Sequence, residues 1–213
     1  MTYIENIFLC LALPMLLSLL FTSGSPRRFT LFVVLGMATC LLSAYVSSFF
    51  MGRHQCSAVT TAIEIAPVCE EILKLLPLLL YFLIFEPDSH KLTPAAIGIA
   101  VGFATFENVC YLTENGAGSF VFLLIRGMSA GALHLVCGIL TGLALAYVFR
   151  RPWLTCTGTV GILGVCMVLH GIYNLLITAD GFWQMVGYFF PSATIVTLFA
   201  ARLLHRGRHT VFR

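Results

Sequence analysis

The chain has 213 residues, 59% of them apolar and only 10% charged, with a formal net charge of +3. Soluble domains usually carry about 25% charged residues, so a mean hydropathy of +0.96 excludes a surface covered by water. The composition points instead to an all-α chain embedded in a membrane from end to end. With no low-complexity tract or long linker, residues 1–213 read as a single integral membrane domain.

A membrane helix needs about 20 mostly apolar residues. The first such run is 3–22. Its start, Met1 to Asn6, has Glu5 and no Lys or Arg, unlike the positive start of a signal peptide, so it is expected to be a retained span. The cluster Ser23-Gly24-Ser25-Pro26-Arg27-Arg28 separates it from 29–51, and Gly52-Arg53-His54-Gln55 separates that from 60–85. Glu86-Pro87-Asp88-Ser89-His90-Lys91 then leads to 94–113, and Glu114-Asn115-Gly116 to 119–149, which is long for one upright span. Arg150-Arg151-Pro152 precedes 156–178, and Asp180-Gly181 precedes 182–204. The expectation is therefore seven spans.

Positive charge sets orientation. With the N-terminus outside, Arg27, Arg28, Lys91, Arg150, Arg151, Arg202, Arg206, Arg208 and Arg213 all fall on the cytoplasmic side. Outer segments keep Arg53 and, just inside the fifth span, Arg126. The sequence is read as N-out and C-in, with a basic tail at the lipid headgroups rather than on nucleic acid. The eight cysteines form no C-x-x-C pair and mostly sit in apolar runs, where they act as small hydrophobes.

Charged groups inside a span cost about 2.5–3.5 kcal/mol each on insertion scales, so they usually face the interior and mark function. Here they are Glu64, Glu70, Glu71, Lys74, Glu107, Arg126, His134 and His170. At about 1.5 Å rise per residue, Glu70 and Glu71 lie roughly 15 Å below the outer face, and Glu107 about 9 Å short of its span's outer end. His134 lies roughly 15–20 Å deep, and His170 about 12 Å short of its end. One layer in the outer half of the membrane is expected to hold them all. Glu64 reads as solvated near the interface, and Arg126 as a headgroup anchor or a partner of Glu64.

Local spacing agrees with a site. Lys74 is i,i+4 from Glu70 and i,i+3 from Glu71, so it can pair with either. Pro67 and Pro77 bracket the group, each freeing a carbonyl. Gly127, Gly131, Gly138 and Gly142 share helical spacing with His134, which predicts close packing along that stripe. His170 and Asn174 share a helix face, with Gly161 and Gly164 before them.

These residues carry a resemblance. Glu70-Glu71-Ile72-Leu73-Lys74 is similar to the E-E-x-x-K signature of the PrsW family of intramembrane proteases. Phe103-Ala104-Thr105-Phe106-Glu107-Asn108 resembles its F-x-x-x-E-N motif. His134 and His170-Gly171-Ile172-Tyr173-Asn174 resemble its lone His and its H-x-x-x-N or D motif, in the same order on successive spans. The resemblance covers a four-helix core at 64–178, and runs one, two and seven add only hydrophobicity to it. CAAX-type membrane proteases, more distant relatives, carry His at the position of Glu107, so their mechanism does not transfer across that residue.

The resemblance implies an endopeptidase of a bacterial plasma membrane. Its substrate would be a single-span membrane protein such as an anti-sigma factor, cut on its extracytoplasmic side to start a proteolytic cascade. Peptide hydrolysis needs an activated water, an oxyanion stabiliser and a proton for the leaving amine. Glu70 is read as the general base, Glu71 as the group that orients the site from Lys74, and His170 and Asn174 as oxyanion donors, with Asn108 in support. Two chemistries fit. In one, Glu107, His134 and His170 bind Zn²⁺ and leave a position open for water. In the other, the carboxylates and histidines act without metal.

Buried Glu and His would also suit a proton-coupled transporter, and glycine-rich faces a non-catalytic scaffold. The first is disfavoured because no internal repeat pairs the two halves of the chain. The second has no use for so many buried ionisable groups.

Overall fold

A computed structural model of the chain describes residues 4–19, 23–85, 88–115 and 119–210. Gly116, the outer turn expected after the fourth span, and the side chains of the 201–213 tail lie outside the described residues. The described chain is helical, with no strand among the described residues. Its helices are α1 (Ile4–Ser18), α2 (Gly24–His54), α3 (Ala58–Thr60), α4 (Ala66–Phe85), α5 (Ser89–Asn115), α6 (Phe120–Val148), α7 (Thr155–Thr178) and α8 (Phe182–Thr210).

The segments Gly24–His54, His90–Glu114, Phe120–Val148 and Pro152–Thr178 are long and apolar enough to cross a membrane. They make this an integral membrane protein. The 20-residue α4 is otherwise apolar but carries three charged residues, Glu70, Glu71 and Lys74, in the stretch that holds the chemistry.

Boundaries differ from the sequence reading where local chemistry permits continuation. Helix α2 takes in Pro26, Arg27 and Arg28, because a proline is tolerated in a first turn, where its missing N–H has no helical partner anyway. It ends where Gln55 turns left-handed (φ 52°) and its N–H reaches back to Met51 O. The long run at 119–149 is one continuous helix. Ser119 caps it by accepting from the N–H of Phe122 at 3.4 Å. Between α4 and α5, Lys91 pairs with Asp88 at 2.7 Å, and this hydrogen bond holds the Asp88 carboxyl below its usual range.

The run expected as one helix at 60–85 is the main departure. Ser57 caps the single turn of α3, accepting from the Thr60 N–H at 3.0 Å. A π-helical segment, Thr61–Ile65, follows, and the Ala66 N–H returns to Thr61 O. Pro67 then has no N–H to offer the carbonyls four and five residues before it, Ile63 and Ala62. Both face α7. Asn174 Nδ2 donates to Ala62 O at 2.7 Å, and a Cβ at Gly171 would lie only 3.1 Å from Ile63 O.

Helix α5 lies between α2 and α6. Its crossing with α2 is very close: a Cβ on Gly36 would fall 2.1 Å from Ile99 O, and one on Gly102 would fall 1.9 Å from Val33 O. In lipid, where hydrophobicity drives no helix pairing, such backbone approach and the dispersion contact it allows hold helices together. On the α6 stripe, Gly138 and Gly142 do meet α5 at Ala100 and Thr93, but Gly131 faces open space, as do Gly161 and Gly164 on α7. A Cβ on Gly127 would also reach α5, 3.7 Å from Asn108, so three of the four α6 glycines are used, but the tightest contact falls on two glycines outside the stripe.

Phe103, Phe106, Ile99 and Leu133 are almost fully buried, and Phe106 packs edge-on against Phe8 of α1 at 5.9 Å. Leu83, Phe85, Val160 and Phe189 are exposed, as lipid-facing side chains should be.

Candidate active site

The ionisable residues of α4, α5, α6 and α7 meet in one place. Lys74 is the hub. Its Nζ donates to Glu71 Oε1 at 2.6 Å and to His134 Nδ1 at 3.0 Å, and lies 4.8 Å over the Phe103 ring. Glu71 Oε1 also accepts from His170 Nδ1 at 2.9 Å. Lys74, Glu71, His134 and His170 are all buried. An ammonium and a carboxylate placed this way satisfy each other and both rings, which a buried ion pair needs if it is not to destabilise the fold.

The bonding partners assign the ring protons. Charged Lys74 can only donate, so His134 Nδ1 accepts and its Nε2–H donates to Glu107 Oε2 at 2.6 Å. Glu71 can only accept, so His170 carries its proton on Nδ1. The His170 Nε2 lone pair is then left facing Glu70 Oε2, 3.7 Å away.

Glu107 is held from both sides. Besides His134, it accepts from Arg126 at 3.2 Å. Arg126 also donates to Asn108 Oδ1 and stacks over the Tyr111 ring at 3.7 Å. Asn108 Nδ2 in turn donates to Gly127 O at 3.3 Å. Arg126 therefore serves neither as a headgroup anchor nor as a partner of Glu64, which is exposed in the π segment. Its place beside Glu107 was not legible from sequence, because the two are joined only by the antiparallel packing of α5 and α6.

Glu70 differs from the other carboxylates. Its Oε2 is buried and has no hydrogen-bond partner among the described residues, although the side chain as a whole is 15% exposed. Together with Glu107 it lines a cleft of about 320 Å³ bounded by α2, the π segment, α4, α5 and α6. A buried carboxylate oxygen without a partner, on a side chain that borders an open cleft, calls for a further ligand such as water or substrate.

Among the described residues two donor sets suit a metal ion: Glu70, His134 and His170, and separately Glu71, Cys137 and Cys166, each with ligand atoms within 4.8 Å of one another. The sequence reading placed Glu107 with the two histidines; the structure groups Glu70 with them instead. Glu107 keeps its contact with His134 at 2.6 Å and is also held by Arg126. The orphaned Glu70 oxygen and the free Nε2 of His170 fit a two-His, one-carboxylate zinc site, while His134 would have to give up Lys74 at Nδ1 or Glu107 at Nε2 to join it.

Asn174 shares the α7 face of His170 but spends one amide hydrogen on Ala62 O, so part of its work is to hold the π segment against α7. Tyr173, inside the same motif, was not singled out. Its hydroxyl meets Ser129 Oγ at 2.9 Å, and both residues are buried. Polar residues at both seams of the α6–α7 pair could have pointed to it.

Fold and site together define a polytopic helical membrane protein organised around a buried glutamate–histidine–lysine cluster. The chain belongs to the PrsW family: the family described as PrsW family intramembrane metalloprotease matches residues 25–202. It is similar to Protease PrsW of Bacillus subtilis (strain 168), with 28% identity over 116 residues, covering 52% of this chain and 49% of that protein. The chain thus spans about half the length of that relative. No solved structure matches it.

Proposed function

We propose that the protein is an intramembrane endopeptidase that cuts membrane-anchored proteins near the extracytoplasmic side, with Glu70 as its general base. The observation that carries this reading is the unpaired, buried Glu70 oxygen beside His170, at the wall of an open cleft. Family membership supports the same chemistry.

In this mechanism Glu70 takes a proton from a water in the cleft. The hydroxide adds to the scissile carbonyl, and Glu70 returns the proton to the leaving amine. The oxyanion receives hydrogen bonds from His170 Nε2, when the ring is charged, and from the Asn174 amide hydrogen left over from Ala62. Glu71 and Lys74 fix the His170 and His134 rings, so the donors need not reorganise as charge develops. Asn108 acts at one remove, through Arg126 on Glu107. Were Zn²⁺ bound, Glu70, His134 and His170 would hold it, and it would supply Lewis-acid polarisation and a more acidic water.

The reading extends to a single membrane domain over 1–213 with its motif core at 64–178, seven spans, an N-out and C-in orientation, and a bacterial plasma membrane. Its partner would be a single-span substrate such as an anti-sigma factor in a regulated cascade. The test is cleavage of single-span membrane substrates by the purified protein, with Glu70→Gln as control. Failure of the wild-type protein to cut any of them would contradict the proposal and favour proton-coupled transport.

A further inference from the structure

The cleft has a wall that carries none of the motif residues. Helix α2 turns Cys40, Ser43, Ala44, Ser47, Ser48 and Met51 toward it, at helical spacing, facing Glu70 and Glu107. A serine inside a helix usually gives its hydroxyl to a carbonyl three or four residues earlier, as Ser43 does to Cys40 O at 2.8 Å. Ser47 does not. It is 8% exposed, and its Oγ has no hydrogen-bond partner among the described residues.

Ser47 and Glu70, each with a buried polar atom that has no hydrogen-bond partner among the described residues, thus border one cavity. Among the described residues one other such atom exists, on Arg151 in the α6–α7 turn. Leaving a hydroxyl unpaired in a protein interior is unfavourable, and such groups call for an explanation. A peptide about to be cut inside a membrane must expose backbone N–H and C=O groups that lipid cannot satisfy. A hydroxyl can both donate to and accept from them. The cleft, at about 320 Å³, is large enough for a short unwound stretch.

From this we infer that Ser47 is a substrate-positioning residue, hydrogen-bonding the backbone of an unwound peptide that lies between α2 and α5 beside Glu70. The inference rests on the peptidase reading and adds to it the side from which substrate is held.

The test has two arms. In the first, Ser47→Ala should lower kcat/KM about 3- to 10-fold, the effect of one hydrogen bond, mainly through KM. Its thermal midpoint should stay the same or rise, because the lost hydroxyl has no partner among the described residues, and Ser47→Thr should recover activity. In the second arm, single-span model peptides with a photoreactive leucine in the outer juxtamembrane segment are mixed in vesicles with the Glu70→Gln protein. Adducts are then mapped by mass spectrometry. They should fall on α2 around Ser47.

Wild-type kinetics in Ser47→Ala, a fall in stability that parallels the activity, or adducts elsewhere while the wild type still cuts would each overturn the role of Ser47 and leave the peptidase standing. Adducts on α2 with no cleavage by the wild type would keep the docking site and remove the peptidase. Neither adducts nor cleavage would overturn both.

Discussion

His170 Nδ1 meets Glu71 Oε1 at 2.9 Å across 99 residues of sequence. The same oxygen carries Lys74. One carboxylate therefore fixes the tautomer of a ring on α7 and balances a buried cation on its own helix. Replacing it by glutamine would leave Lys74 without its counter-charge. Glu71→Gln is expected to destabilise the protein by about 3–5 kcal/mol and to abolish activity together with stability. Thermal unfolding in detergent checks this. A Glu71→Gln protein as stable as the wild type would show that Lys74 is balanced elsewhere.

The bond from Asn174 to Ala62 O predicts a different loss. Asn174→Ala leaves a carbonyl that Pro67 cannot serve, and should cost about 1 kcal/mol, within the range of polar pairs between membrane helices. Hydrogen exchange at 58–66 should quicken in the variant. Unchanged exchange there would mean that the π segment is held by other contacts.

The α2–α5 crossing makes a steric prediction. Gly36→Ala or Gly102→Ala puts a methyl group inside backbone contact distance of the opposite helix, and should cost several kcal/mol, on the order of 2–4. Gly131→Ala, which meets nothing within 4 Å, should be close to neutral. Expression level and thermal midpoint compared across the three variants decide the point. Equal effects would contradict the close crossing.

Metal binding separates the two carboxylates near the histidines. If Zn²⁺ is held by Glu70, His134 and His170, then Glu70→Gln and His134→Ala should both lower the metal content of the purified protein by tenfold or more, on the order expected for lost ligands. Glu107→Gln should lower it less, since Glu107 acts through the ring it contacts. Elemental analysis of the three variants is the measurement. Loss confined to Glu107→Gln and His134→Ala would restore Glu107 to the ligand set.

Much of the site could be read from the cost of charge in a membrane. Glu70, Glu71, Lys74, Glu107, His134 and His170 stand out because lipid tolerates none of them without cause, and they do converge. Their pairing could not be read. Lys74 can reach either glutamate by helical spacing, and only the approach of α7 selects Glu71, leaving Glu70 free. Glu107 reads as a ligand because it is a carboxylate at the right depth, and it does stand 2.6 Å from His134. Its second partner, Arg126, is 19 residues away on another helix. The π segment was hidden because hydrophobic periodicity does not distinguish a turn of one helix type from another. Helix α2 looked like lipid-facing filler because its serines carry no charge, yet it forms one wall of the cleft.

The central claim is that Glu70 does chemistry and not structure. Its free oxygen predicts that Glu70→Gln folds like the wild type, within about 0.5 kcal/mol. Cleavage should meanwhile fall about 100-fold or more. The direct measurement is cleavage of a panel of single-span membrane substrates by both proteins, with thermal midpoints recorded on the same preparations. Cleavage by the wild type alone, at equal stability, is the predicted result; equal cleavage by both proteins would contradict the account.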